Sequence, residues 1–169
     1  DYLALVKEYP YGSRLLADPK VNLMIDDGRR WLRRNADRRY DVIVMNTSFH
    51  WRNYMTYLLS EDFFKLCQRH LKEGGVLYFN TTFSKDVLYT VAGVYDHVTV
   101  FGNFAAASMS PFVMGRRERM KNLLLFEDDQ GSVFDPNKEE HLDLLTALAT
   151  IELPNIKKHL ALEKGLLKI

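Results

Sequence analysis

A chain of 169 residues, 47% of them hydrophobic, has the size and apolar content of one ordinary folded domain. A formal net charge of +1 exerts no global pull toward nucleic acid, and no window approaches the roughly 18 uninterrupted apolar residues of a membrane-spanning helix. A single cysteine, Cys67, excludes an internal disulfide and any multi-cysteine metal site, so no metal is expected.

The chain starts at Asp1 without a methionine or a signal-peptide pattern, directly before a helical run marked by Leu3, Leu5, Val6 and Tyr9. It reads as a piece of a longer protein. Residues 21–26, "VNLMID", form a short β-like run that ends in Asp26-Asp27-Gly28, and a basic segment predicted to be helical around Trp31 and Leu32 follows. Its arginines, Arg29, Arg30, Arg33, Arg34, Arg38 and Arg39, are expected to form a solvated face paired with Asp37 and Asp41 or with a second subunit. Tyr40–Met45 reads as a strand buried on both faces, since its apolar character is almost unbroken. That strand stops on Asn46-Thr47-Ser48.

Ser60 is expected to cap a helix with Glu61 and Asp62 in its first turn and Phe63, Phe64, Cys67 and Leu71 on its apolar face. Gly74-Gly75 should stop it, and residues 76–80, "VLYFN", should form the next strand. Ser84 opens a further helix carrying Val87, Leu88, Val91, Val94 and Tyr95, and two closely spaced β-like runs follow at His97–Phe101 and 103–108. Residues 123–126 suggest another strand. Asp135-Pro136 is expected to cap a helix through Leu142, Leu145 and Leu148, which Pro154-Asn155 breaks before a Lys-rich amphipathic tail.

Strands alternating with helices of about a dozen residues imply right-handed crossovers, hence an α/β layered sheet, mostly parallel, with an antiparallel edge. In such sheets ligands bind outside the carboxyl ends of the strands. Those ends carry Asp26-Asp27-Gly28, Asn46-Thr47-Ser48 and Asn80-Thr81-Thr82, residue types that also serve turns and helix caps.

The run "VNLMIDDGRRWL", then "YDVIVMN", "LLSEDFF" and "LKEGGVLYFN", resembles the second half of the catalytic domain of the spermidine synthases, the polyamine aminopropyltransferases. The resemblance spans about 2–110 and implies a partial Rossmann-like fold of the class I S-adenosylmethionine methyltransferase type. "NTSFHWR", "YFNTT" and "NFAAAS" look more like a divergent branch in which this domain follows a multi-span membrane region. By resemblance the chain is one domain, 1–169, with the core at 1–110 and edge strands and C-terminal helices at 111–169. The N-terminal half, with its Gly-rich cofactor loop, is expected to precede Asp1.

The resemblance further implies that Asp27 and Gly28 hold the adenine of decarboxylated S-adenosylmethionine, the aminopropyl donor, and that an amine such as putrescine is the acceptor. Asn46 falls where the family carries its catalytic aspartate, Phe49 where a second aspartate would hold the diamine, and Asn80 near a strand-end glutamine. Thr47 and Ser48 would line the acceptor side. An amide cannot take a proton from an attacking amine at neutral pH, so His50, four residues on, is the candidate base. Two alternatives stand beside this reading: a methyltransferase using S-adenosylmethionine itself, and a non-catalytic domain that binds a nucleoside or polyamine. A homodimer and a cytoplasmic domain, tethered to a membrane in its parent, complete the expectations; nucleic acid is not an expected partner.

Overall fold

The computed structural model describes residues 2–47, 49, 56–128 and 130–169. Its centre is a mixed four-stranded sheet. Strand β1 (Tyr40–Met45) and strand β2 (Leu71–Asn80) run parallel, with Val42 opposite Val76 and Met45 opposite Phe79. Strands β3 (His97–Phe101) and β4 (Phe104–Ser108) form a hairpin, and β4 lies antiparallel against β2, giving the spatial order β1-β2-β4-β3. The expected α/β class and antiparallel edge are both present.

Three helices precede β1: α1 (Tyr2–Lys7), α2 (Pro10–Ala17) and α3 (Gly28–Arg34). Helix α4 (Glu61–Arg69) makes the parallel crossover and α5 (Lys85–Ala92) connects β2 to β3. The hydroxyls of Ser60 and Ser84 each accept from the backbone N–H three residues on, at 3.4 Å, so both predicted N-caps are in place. Helix α6 (Arg116–Leu123), a two-residue-per-strand ladder of β5 (Glu127–Asp128) and β6 (Gly131–Ser132), α7 (Glu139–Thr150) and α8 (Lys157–Leu162) complete the chain.

The core lies between the sheet and helices α4 and α5. Strand β2 buries Gly75, Leu77 and Phe79 in strict alternation, and these meet Phe63, Phe64 and Cys67 of α4 and Val87 and Val91 of α5. The Phe64 and Phe79 rings stand 5.1 Å apart, and the fully buried Tyr95 donates its hydroxyl to the Phe64 carbonyl at 3.2 Å. Burying each such side chain contributes about 1.5–3 kcal/mol. The C-terminal segment is strapped onto this layer: Ile156 N–H donates to Val98 O, Ile169 N–H to Thr90 Oγ1, and Leu160 is buried.

Several expectations are corrected. Residues 21–26 form no strand: a β-like run becomes a strand only by pairing, and here no ladder partner joins it, leaving Ile25 83% exposed. Strand β1 is an edge strand instead of a doubly buried one, with Val42 and Val44 53% and 67% exposed, because only β2 pairs with it. Gly74-Gly75 do not end α4. The helix stops at Arg69, where the His70 N–H reaches back to Cys67 O, and Leu71 already belongs to β2. Gly74 instead takes a left-handed φ of 72° within an irregular stretch, where the pairing jumps from Tyr40–Leu71 to Val42–Val76.

Residues 123–126 close α6 and turn, with the Leu124 and Leu125 amides bonded to Met120 and Asn122 carbonyls. Asp135 caps a local turn, accepting from Asn137 N–H at 2.9 Å, and α7 starts later, after Lys138. Arg30, Arg33, Arg34, Arg38 and Arg39 are exposed as expected, whereas Arg29 is half-buried with its guanidinium 6.0 Å from the Tyr57 ring centre; the acidic partner is Asp26, paired with Arg34 and, at 3.8 Å, Arg30. Asp41 is bound by Lys72 at 2.8 Å instead, which holds its carboxyl below the usual range.

Candidate functional site

Because β1 and β2 are parallel and in register through Met45 and Phe79, the next polar residues of both strands emerge side by side. Asn80 Nδ2 donates to Asn46 Oδ1 at 3.1 Å, joining two positions 34 residues apart. Strand β4 runs the other way, so the turn that starts it lies at this same end of the sheet. That turn is Gly102-Asn103, with Gly102 at φ 61°, where a residue without Cβ carries no steric penalty.

Asn103 extends the pair into a chain of three amides. Its Nδ2 donates to Asn80 Oδ1 at 3.2 Å, while its carbonyl accepts from Thr81 N–H at 2.7 Å and Thr81 Oγ1 at 2.9 Å. The Thr82 N–H also donates to Asn80 Oδ1, at 2.9 Å. Thr82 and Phe83 both sit in the left-handed region, at φ 54° and 60°, a conformation that costs non-glycine residues about 1–2 kcal/mol each. Thr81 Oγ1 steadies the strained pair by accepting from Phe83 N–H at 3.3 Å, and Phe83 is 77% exposed.

Asn46 and Asn80 are thus brought together as the strand ends suggested. Thr47 follows directly, its Oγ1 buried and without a hydrogen-bond partner among the described residues. Ser48 and His50 lie outside the described residues, and Phe49 is exposed. Asn103 and the strained 82–83 pair did not stand out in the sequence. The available signal was the spacing Phe101-Gly102-Asn103-Phe104, a two-residue hairpin turn whose strand returns antiparallel.

Asp27 and Gly28 sit on the other flank of β1. Asp27 is the N-cap of α3, its Oδ1 accepting from Arg30 N–H at 2.8 Å, and a Cβ on Gly28 would meet nothing within 4 Å. Gly28 opens onto a cavity of about 320 Å³ lined by Met24, Asp26, Trp31, Tyr40, Val42 and Ile43. Apolar walls with an acid at the rim suit a flat, weakly polar ring system. The buried Cys67 thiol is poorly nucleophilic in the fold, because burial pushes it up to about 12.

The spermine/spermidine synthase domain profile matches residues 4–127. The chain belongs to the spermine/spermidine synthase family. Within that family, it is 40% identical over 60 residues to polyamine aminopropyltransferase 1 of Pseudomonas aeruginosa, an alignment taking in 36% of this chain and 20% of that protein. It is 25% identical over 119 residues to the polyamine aminopropyltransferase of Corynebacterium efficiens, covering 60% of this chain and 23% of the relative. Spermidine synthase from Thermotoga maritima shares the fold, with a TM-score of 0.52 at 20% identity over 96% of this chain and 58% of that one. The aligned stretches therefore span only about a fifth of these curated relatives' length.

Proposed function

We propose that this chain supplies the acceptor-side portion of an aminopropyltransferase-like site, in which decarboxylated S-adenosylmethionine would donate an aminopropyl group to an amine such as putrescine. The observation that carries the reading is the meeting of Asn46 and Asn80 at the carboxyl ends of two adjacent parallel strands, where α/β sheets place their ligands. In this reading Asp27, next to Gly28 in the chain, accepts from the adenine amino group, although the acid that lines the Gly28 cavity itself is Asp26. Asn46, Thr47, Ser48 and Asn80 line the acceptor side.

Attack by the amine on the carbon next to the sulfonium requires a proton acceptor, and Asn46 cannot be one. His50 takes that role in this reading, with an intrinsic pKa in the right range. In this reading the domain extends over 1–169, with 1–110 as core, and works in the cytoplasm as a homodimer tethered to a membrane. The missing carboxylate favours a second reading, a nucleoside-binding domain without turnover.

A transfer assay with decarboxylated S-adenosylmethionine and putrescine, on this chain and on any longer natural form, tests the proposal. The first reading predicts spermidine and methylthioadenosine in equal amounts, both abolished by His50→Ala. Methylthioadenosine binding without either product would support the second. Retention of full turnover in His50→Ala would remove the base assignment.

A further inference from the structure

The segment after β4 builds a second hollow that the proposed site does not use. Pro111 has no N–H to continue a ladder, so residues 111–114 leave the sheet and face the end of α7 across an open groove of about 530 Å³. Phe101, Phe112, Val113, Leu148, Ile151 and Leu153 make its walls apolar. Among the described residues that line it, Arg119 alone is charged.

Arg119 is fixed there by the fold itself. Half-buried on α6, it donates from Nε to Met114 O at 3.0 Å and from Nη1 to Ile151 O, so it clamps the 111–114 segment to the chain leaving α7. Two of the five N–H donors of a guanidinium are used in this way, and both donors on Nη2 are left over. Backbone carbonyls hold the direction of a guanidinium but bring no net charge. No acid pairs with Arg119 among the described residues, although Glu152 lines the adjoining hollow beside it. Helix α6 adds Arg116, Arg117 and Lys121 against one acid, Glu118, so the local field favours an anion.

The cation is matched by a carboxylate, which can accept from two guanidinium N–H groups at once, and the walls are matched by hydrocarbon. One molecule can satisfy both. We propose that this groove binds a free alkyl carboxylate, a fatty acid of medium length, with its carboxylate on Arg119 and its chain along Phe101, Val113 and Leu148. The volume lies in the range of small-molecule pockets, and an apolar lining with one placed charge is their usual makeup. The proposal stands apart from the aminopropyl reading, because the groove shares no lining residue with the Gly28 cavity and includes none of the three linked amides.

Calorimetry on the whole chain, with each probe below its micelle-forming concentration, tests it. Decanoate is expected to bind about tenfold more tightly than hexanoate, which lacks four methylenes, and about tenfold more tightly than decyltrimethylammonium, which carries the same chain on the opposite charge. Arg119→Met should weaken decanoate about tenfold. Because Arg119 also clamps two segments, a second variant leaves the clamp alone: Val113 is 82% exposed, and Val113→Asp should weaken decanoate about fivefold by charge repulsion, whereas Val113→Lys should not weaken it. No binding of decanoate, equal affinity for decanoate and decyltrimethylammonium, or full affinity in Val113→Asp would overturn the proposal. Decanoate binding only as it splits a dimer in sedimentation would overturn it too, since a second copy would then be the occupant. Methylthioadenosine affinity should be the same in wild type and Val113→Asp; its absence from a chain that binds decanoate as expected removes the aminopropyl reading alone.

Discussion

Asn80 is the hub of the amide chain, and replacing it with alanine tests that chain independently of any ligand. The substitution deletes the bond to Asn46 at 3.1 Å, the bond from Asn103 at 3.2 Å and the bond from Thr82 N–H at 2.9 Å. A hydrogen bond contributes about 0.5–1.5 kcal/mol net, and the three together predict a loss of about 2–3 kcal/mol. The Thr82 bond carries the largest share, because Thr82 is buried and its left-handed backbone is steadied by it. For a chain of this size the loss corresponds to a Tm lower by about 5–10 °C, read by calorimetry alongside urea unfolding. Asn46→Ala and Asn103→Ala each delete one bond of the chain and should cost about 1 kcal/mol or less. The reasoning fails if Asn80→Ala costs no more than Asn46→Ala. It fails equally if the Asn46/Asn80 double variant shows no coupling, since residues sharing a hydrogen bond should depart from additivity by about 0.5 kcal/mol or more.

Asp27 has two separable roles, and two substitutions divide them. Asp27→Ala should lose about 1 kcal/mol of helix capping together with methylthioadenosine affinity, while Asp27→Asn, itself a good cap, should keep the stability; equal losses of nucleoside and amine binding in Asp27→Ala would contradict the adenine assignment. The Cys67 thiol is held neutral by burial in the fold but ionises in the unfolded chain near its ordinary value of 9.0. Its contribution to stability is therefore full below pH 9 and is lost as pH rises toward about 12, where the folded thiol ionises. Thiol-reagent labelling at pH 8 should be limited by opening of the fold, and immediate labelling of folded protein would show the thiol to be accessible. Phe64→Ala empties the ring contact with Phe79 and should cost about 3–5 kcal/mol in urea unfolding; a cost under 1 kcal/mol would place the core elsewhere.

The sequence by itself determined the local elements whose causes are local. Ser60 and Ser84 cap their helices because a hydroxyl three residues before a free N–H is sufficient, and Tyr40–Met45 and His97–Phe101 are strands within the bounds their apolar runs suggest. The strand-end amides Asn46 and Asn80 were likewise visible as polar stops on apolar runs. What depended on partners at a distance was decided only by the tertiary structure. Residues 21–26 have a strand's composition and no ladder to join, and β1 has a central strand's composition but an edge position, because pairing is a property of two segments. Gly74-Gly75 looked like a helix stop and became an irregularity inside β2, since the pairing with β1 set where the strand began. The amide chain needed most from the fold. Its members lie 34 and 23 residues apart, they meet only because β2 runs parallel to β1 and antiparallel to β4, and their donor direction is fixed by a single backbone N–H at Thr82.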